Sequence, residues 1–179
     1  MNKTIQYIII ALLLIVLSVF ALVLFNKEGN NKPKDQLNIY FSKLVGSDVI
    51  VEPVKRKLSK VQTPLEQALY ELIAGPTQEE KDAGFYTEIP EGTKIIKVTE
   101  QPDLVRINLN KQFASGGGTT STEARLKEVV YTSLDAEPVK KVYLDLDGEE
   151  LDIIGGEGVE VIQPLSKDNF SNSTTQEEE

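Results

Sequence analysis

The sequence predicts an α+β domain in which a mainly antiparallel sheet is covered by two helices and preceded by one transmembrane helix. Short stretches of alternating apolar residues occur in pairs, and turn residues join the members of each pair. Two apolar stripes with helical spacing separate these pairs, and a long uncharged run stands near the amino terminus. The predicted order is strand, strand, helix, repeated once and followed by a final hairpin.

The uncharged run, residues 5 to 25, is the predicted transmembrane helix. Only Gln6, Tyr7 and Ser18 interrupt it with polar side chains. At about 1.5 Å per residue, a helix of this length spans the ~30 Å hydrocarbon layer of a bilayer. A cleaved secretion signal is the alternative, but the apolar run continues beyond Val19-Phe20-Ala21, the nearest match to a cleavage site.

The remaining segments follow from composition. Lysines flank the apolar run on both sides, so the charge bias leaves the membrane topology ambiguous. Polar stretches without apolar periodicity surround one region able to form a core. The predicted segments are a short N-terminal tail at 1–4, a linker at 26–36, the folded domain at 37–165 and a disordered acidic tail at 166–179.

The domain is predicted to begin with a hairpin of residues 37–42 and 49–54, joined by the turn Gly46-Ser47-Asp48. Pro53 favours an edge position for the second strand, because proline cannot donate to a sheet ladder. Alternation divides the first strand into two faces. The apolar face carries Leu37, Ile39 and Phe41, and the opposite face carries Asn38, Tyr40 and Ser42.

The first helix has a clear start and a clear end. Thr63 is the predicted N-cap, with Pro64 at the first helical position and Glu66 completing a capping box. Gly75 ends the helix. A second box at 77–80 predicts a short helix that ends at Gly84.

Two strands, a second long helix and a hairpin complete the domain. Residues 94–100 and 104–110 alternate around the turn Gln101-Pro102-Asp103. A helix is predicted at about 121–134. The closing hairpin covers 140–153, with Asp147-Gly148 as its turn.

Composition excludes much chemistry. The chain contains neither cysteine nor histidine, so thiolate metal sites, cysteine nucleophiles and imidazole bases are absent. A net charge of −9 argues against nucleic acid as a partner. Any enzyme of this composition would depend on carboxylates, lysine, tyrosine, serine or threonine.

Three glycines at 116–118 precede the second long helix and raise the question of a phosphate site. The lysine of a P-loop is missing, and so is the dinucleotide-binding pattern. A third capping box, from Thr120 to Glu123, is predicted to satisfy the helix start internally and to place a carboxylate where an anion would bind. The glycines are therefore interpreted as a flexible joint, with an anion site as the alternative.

Charged clusters offer two further candidates. Residues 145–152 resemble a broken calcium loop, and Asp145 and Asp147 resemble a hydrolase pair on one strand face. A solvated hairpin is the favoured interpretation, because the calcium-loop glycine and glutamate are misplaced. Lys55, Arg56, Lys57 and Lys60 oppose an acidic C-terminal region, a layout typical of surface solvation that could also steer copies head to tail or attract an anionic membrane or wall polymer.

Several segments together resemble the GerMN domain of sporulation and spore germination proteins. They are 69–95 ("LYELIAGPTQEEKDAGFYTEIPEGTKI"), 105–118, 125–134, 139–151 and 155–165. The resemblance covers residues 37–165 and implies an extracytoplasmic module of the bacterial cell envelope, with a fold similar to ring-building domains. It supplies no catalytic residue, and the chain departs from tandem and lipoprotein forms by having one copy and no cysteine.

The expected function is therefore a membrane-anchored, non-catalytic interaction module on the outer side of the cell membrane, with a link to sporulation or spore germination. Envelope proteins or further copies of the chain are the expected partners, contacted through a sheet edge or face. Binding of cell-wall glycan or a small ligand is the alternative, and a carboxylate hydrolase is the least favoured. No catalytic, cofactor-binding or metal-binding residue is predicted.

Overall fold

The computed structural model describes residues 35–59, 61–137 and 141–170. The predicted transmembrane helix at 5–25, the N-terminal tail and all but the end of the linker lie outside these residues, as do residues 171–179 of the tail. Within the described ranges, no helix is both long enough and apolar enough to cross a membrane.

The first sheet is built on a ten-residue hairpin. Strand β1 (Gln36–Val45) pairs antiparallel with β2 (Asp48–Lys57), which confirms the predicted hairpin and extends it in both directions. The short strand β3 (Phe85–Tyr86) pairs with the other side of β1, so the order is β2-β1-β3. Strand β2 is an edge strand, in agreement with the presence of Pro53.

Helices α1 (Pro64–Ala74) and α2 (Gln78–Asp82) begin as predicted. Thr63 and Thr77 each accept a hydrogen bond from the backbone N–H three residues later, and each forms a complete capping box. Gly75 ends α1 with a φ of 80°, a conformation that favours glycine. Helix α1 buries the apolar stripe formed by Leu65, Ala68, Leu69 and Leu72.

The second sheet is mixed. It contains β4 (Ile95–Gln101), β5 (Leu104–Leu109), β6 (Lys141–Leu146) and β7 (Glu149–Glu150), in the order β4-β5-β6-β7. Helix α3 (Thr119–Ala136) crosses over between β5 and β6, which therefore pair in parallel, whereas the other two pairs are antiparallel. The turn Asp147-Gly148 joins β6 to β7, as predicted.

The prediction of one sheet is wrong, because the described strands form separate sheets. The N–H groups of Tyr40 and Ser42 point outward from the β1–β2 hairpin. They donate hydrogen bonds to side chains of α3 rather than to another strand. Helix α3 therefore occupies this edge of β1 at Tyr40 and Ser42, and the first sheet does not continue into the second sheet. A third, two-stranded sheet, β8 (Ile153–Ile154) with β9 (Val159–Glu160), follows β7.

The end of the domain is more ordered than predicted. An isolated bridge joins Val142 to Leu165, and a 3-10 helix covers Lys167–Phe170. The Phe170 ring meets the Tyr131 ring edge to face at a centroid distance of 5.8 Å. The prediction that residues 166–179 are disordered is thus wrong for 166–170, since a single aromatic side chain gives this polar segment a place to pack.

One hydrophobic core joins these elements. Its largest fully buried side chains come from β1, α1, β5, β6 and the segments around them: Phe41, Phe113, Leu37, Ile39, Leu65, Leu69, Leu72, Ile107, Leu109, Leu144, Leu151 and Ile154. The alternation predicted for β1 and β5 is confirmed, because Leu37, Ile39 and Phe41, and likewise Val105, Ile107 and Leu109, are buried.

We expect Ile107→Ala to lower the free energy of unfolding by about 2–5 kcal/mol, the usual cost of truncating a buried isoleucine. Ile96→Ala is the matched control, because Ile96 is exposed at a β-bulge in β4 and should change stability by less than about 0.5 kcal/mol. Urea unfolding of both variants measures the difference. Equal effects would contradict the placement of the core.

Candidate functional site

A buried carboxylate lies where β1, α3 and the segment after β3 meet. Glu128, in the middle of α3, is 0% exposed. Its Oε1 accepts hydrogen bonds from the Ser42 N–H at 3.1 Å, the Ser42 hydroxyl at 2.6 Å and the Glu88 N–H at 3.1 Å. Its Oε2 accepts from the Thr87 hydroxyl at 2.6 Å. One side chain therefore joins three segments that are far apart in the sequence.

Burial raises the pKa of Glu128 to about 7, although its four hydrogen bonds act in the opposite direction. Arg125 and Glu88 are the charged neighbours in this cluster. Burial raises the pKa of Tyr86, and the charges of Glu88 and Glu128 raise it further. When Glu128 is protonated, its Oε2 can donate to the Thr87 hydroxyl, which is both a donor and an acceptor. The cluster can thus hold Glu128 in either state.

Arg125 lies one turn before Glu128 and fixes the glycine loop. Its guanidinium donates to the carbonyl oxygens of Phe113 at 2.8 Å, Ser115 at 3.2 Å and Gly116 at 3.2 Å, and to that of Glu88 at 2.8 Å. Burial lowers the pKa of Arg125. Of these carbonyl groups, that of Gly116 belongs to the segment interpreted as a flexible joint and those of Phe113 and Ser115 come just before it, so one buried cation fixes the start of this segment.

The predicted capping box from Thr120 to Glu123 does not form. Helix α3 begins two residues earlier than predicted, with Gly118 as an N-cap that has no side-chain hydrogen bond, so Thr120 already lies inside the helix. The carboxylate of Glu157, in the turn between β8 and β9, accepts from the Thr119 N–H at 2.7 Å and the Thr119 hydroxyl at 2.6 Å. The anion at this helix start is thus a carboxylate of the same chain.

Close packing explains one glycine of the triplet. Gly117 has a φ of 82°, and a Cβ at this position would lie 2.8 Å from the Ser121 Oγ and 2.9 Å from the Arg125 Nη2. A larger residue would therefore be strained and would displace the guanidinium that holds the loop. The loop needs glycine for packing and conformation, which accounts for this part of the motif without a ligand.

The two acids weighed as a hydrolase pair, the least favoured alternative, are not brought together. Asp145, on β6, forms an ion pair with the Arg106 Nη1 at 2.6 Å. Asp147 lies beyond the end of β6, in the turn, with a φ of 49° and its carboxylate 4.0 Å from the Lys111 Nζ. Among the described residues, no group of three or more acidic side chains could hold a metal ion, so the calcium-loop interpretation gains no support.

The polar face predicted for β1 is not an open surface, because α3 covers it. The Asn38 amide donates to the Asp135 carboxylate at 3.0 Å, the Tyr40 ring packs against the Tyr131 ring at 5.6 Å, and Ser42 is buried. Alternation places these three side chains correctly on one face. The sequence pattern alone does not reveal that a helix occupies that face.

The exposed apolar side chains of the first sheet are concentrated at the hairpin tip, which we define as residues 44–49. Leu44 is 59% exposed and Val45 is 51% exposed. Both lie beyond Lys43, the last residue of β1 that pairs with β3. The outer side of β2 has no strand partner among the described residues. The hairpin thus combines exposed apolar side chains with unpaired backbone groups.

Part of the predicted basic run is neutralised. Arg56 forms ion pairs with Glu71 and Glu80, and these partners raise its pKa against the lowering effect of burial. Lys55 and Lys57 are exposed on β2, and Lys60 lies outside the described residues. The accessible positive charge of this strand is therefore that of Lys55 and Lys57.

Comparison with protein families identifies the domain. A family model described as Germane, sporulation and spore germination, matches residues 38–152, more than half of the 179-residue chain. The chain belongs to the Germane family. This confirms the resemblance to GerMN domains. The β8–β9 hairpin and the bridge to Leu165 extend the folded Germane unit of this chain beyond the matched range.

Solved structures share the fold. The first GerMN domain of the sporulation protein GerM from Bacillus subtilis is 21% identical, with a TM-score of 0.62 over 74% of this chain and 98% of that domain. A candidate lipoprotein from Clostridium perfringens is 21% identical, with a TM-score of 0.54 over 75% of this chain and 88% of the other. The tandem GerMN structure from Bacillus subtilis is 19% identical, with a TM-score of 0.55 over 78% of this chain, which spans only 49% of it. A sequence comparison with curated proteins gave no significant match.

Sequence reasoning overlooked Arg125 and Glu128, although a signal was present. With Val129 and Thr132, they recur at the spacing of one helix face, and all four residues are buried. A charged residue on the buried stripe of a helix indicates a polar group with an internal partner, because an unpaired charge would be too costly to bury.

We expect the stability of the native protein, relative to Glu128→Gln, to fall by about 3 kcal/mol between pH 4.5 and pH 8. The pKa of Glu128 is raised from 4.5 to about 7 by folding, so its stabilising effect is complete below pH 4.5 and is lost as pH rises through 7. Glutamine mimics the protonated carboxyl and does not titrate. Urea unfolding of both proteins across this range measures their free energies, and a native stability that stays constant or rises with pH relative to Glu128→Gln would contradict the raised pKa.

We expect Glu157→Gln to destabilise the protein at neutral pH and to have no effect in acid. The hydrogen bonds from Thr119 lower the pKa of Glu157, so its stabilisation is present above the pKa of the unfolded chain and is lost as pH falls through the folded value. Thermal melts at several pH values test this. Glu160→Gln, in the same hairpin, is the control and should behave as the native protein at every pH.

Proposed function

We propose that this Germane domain is a non-catalytic interaction module of the bacterial cell envelope, acting in sporulation or spore germination. The family supports the biological setting. The similar candidate lipoprotein supports attachment to a membrane. In this proposal, residues 5–25 form a single membrane-spanning helix and the domain lies on the extracytoplasmic side.

The observation that carries the proposal is the β1–β2 hairpin. Exposed apolar side chains at its tip lie beside the unpaired outer edge of β2, and an edge of this kind can accept a strand from another protein. Pro53 interrupts the donors of that edge near its middle, which limits extended pairing. A short strand from an envelope protein, docked beside the hairpin tip, is the partner that this geometry fits best.

Binding of an anionic cell-wall polymer is a second candidate. Lys55 and Lys57 are exposed on the same strand and would attract such a polymer at low ionic strength. The net charge of −9 opposes this attraction over the protein as a whole. Retention of the protein on purified wall, lost in the double variant Lys55→Glu, Lys57→Glu, would favour this candidate over a protein partner.

We expect a photo-crosslinking amino acid at Val45 of the full-length protein to give discrete adducts with envelope proteins in intact cells. The same group at Ile96, which is equally exposed on the other sheet, is the control and should give few adducts. The variant Leu44→Asp should remove the Val45 adducts, because it places a charge in the apolar contact. Equal labelling from both positions, or none from Val45, would count against the hairpin as a docking site.

A further inference from the structure

A small groove with an apolar base opens on the side of the domain formed by α3, the segment around β9 and the C-terminal 3-10 helix. Its volume is about 210 Å³. Leu126, Val161 and Leu165, all buried, form its base, and the walls include Ile162 and Phe170. Pockets that enclose whole small ligands usually measure about 300–1,000 Å³. This groove therefore suits one or two side chains rather than a whole cofactor or metabolite.

Ile162 distinguishes the groove from ordinary surface. It is 71% exposed although its neighbour Val161 is buried. A large aliphatic side chain exposed beside a concave apolar surface can bury its area only when another molecule covers both. The groove therefore has an apolar base and an apolar wall that remain accessible in the isolated domain.

The charged side chains that line the groove are acidic. Glu123 and Glu160 line it, and Glu123 is partly balanced by Lys127 at 3.7 Å. Glu160 forms no ion pair among the residues that the structure describes. From residue 142 to residue 170 the chain carries eight acidic side chains and one basic residue, Lys167. A ligand with positive charge beside its apolar part complements this surface.

We propose that the groove receives an apolar side chain flanked by lysine or arginine in an extended segment of a partner protein. The apolar side chain packs between Leu126, Ile162 and Phe170, while the flanking cations lie near Glu160. This site is distinct from the hairpin tip and does not depend on the function proposed for that surface. Because the charges are exposed, binding weakens as ionic strength rises.

The test uses the full-length protein in detergent micelles and three fluorescent ten-residue peptides that differ only at the central positions. The first carries Lys-Leu-Lys, the second Glu-Leu-Glu and the third Lys-Ser-Lys. Fluorescence anisotropy is expected to show binding of the first peptide, with at least tenfold weaker binding of the other two. Equal binding of the first and third peptides would reveal a charge effect without a groove and would overturn the proposal.

Matched variants locate the contact. Ile162→Asp is expected to weaken binding of the Lys-Leu-Lys peptide at least tenfold, and Glu160→Lys is expected to weaken it and reduce its salt dependence. Ile153→Asp is the control, since Ile153 is 62% exposed but does not line the groove, and it should bind as the native protein does. Thermal melts should show both aspartate variants folded, because both side chains are exposed.

Two outcomes separate this proposal from its alternatives. Unchanged peptide binding in Ile162→Asp would overturn the proposal. Concentration-dependent self-association that Ile162→Asp abolishes would also overturn it, because the groove would then be an interface between copies of the chain. The hairpin variant Leu44→Asp should bind the peptide normally. If Val45 gives no crosslinks but the peptide binds, only the proposal for the hairpin tip fails. If Val45 gives crosslinks but the peptide does not bind, only the proposal for the groove fails.

Discussion

The buried carboxylate of Glu128 is the interaction on which the arrangement of this domain depends. It receives N–H groups from β1 and from the segment after β3, two elements separated in the sequence by α1 and α2. Removing it would leave two backbone donors without partners inside the protein, at a cost of about 1–3 kcal/mol each. Helix α3 therefore accepts the β1 N–H groups of Tyr40 and Ser42 that a neighbouring strand would otherwise accept, and β3 pairs with β1 only at Ser42 and Lys43.

The same helix determines the rest of the topology. Because α3 lies between β5 and β6 in the chain, these strands run parallel, and the second sheet is mixed. At the start of α3, the Thr119 N–H donates a hydrogen bond to the Glu157 carboxylate of the β8–β9 turn. Arg125 donates hydrogen bonds to the carbonyl oxygens of the loop that precedes the helix. The three glycines therefore lie in a loop beside two charged groups, Arg125 and Glu157, that already have hydrogen-bond partners within the chain.

This internal use of polar groups bears directly on function. Asp145, one of the two acids weighed as catalysts, forms an ion pair with Arg106 and lies apart from the other, Asp147. The carboxyl group with the most strongly shifted pKa is that of Glu128, which is buried from solvent. What the domain presents to its surroundings is instead a hairpin with apolar side chains at its tip and an acidic region around a small groove. Both are surfaces that we propose for recognition of partner proteins.

The sequence by itself determined the local elements, because their signals act over a few residues. Thr63, Gly75 and the alternation in β1 and β5 are sufficient to place a cap, a helix end and buried faces. The family was also recognisable from short motifs. Only the tertiary structure decided that β1 meets α3 rather than another strand, that Glu157 replaces the capping box, and that Phe170 packs onto Tyr131. Each of these contacts joins residues more than 35 positions apart, and its free energy depends on burial that no local pattern records.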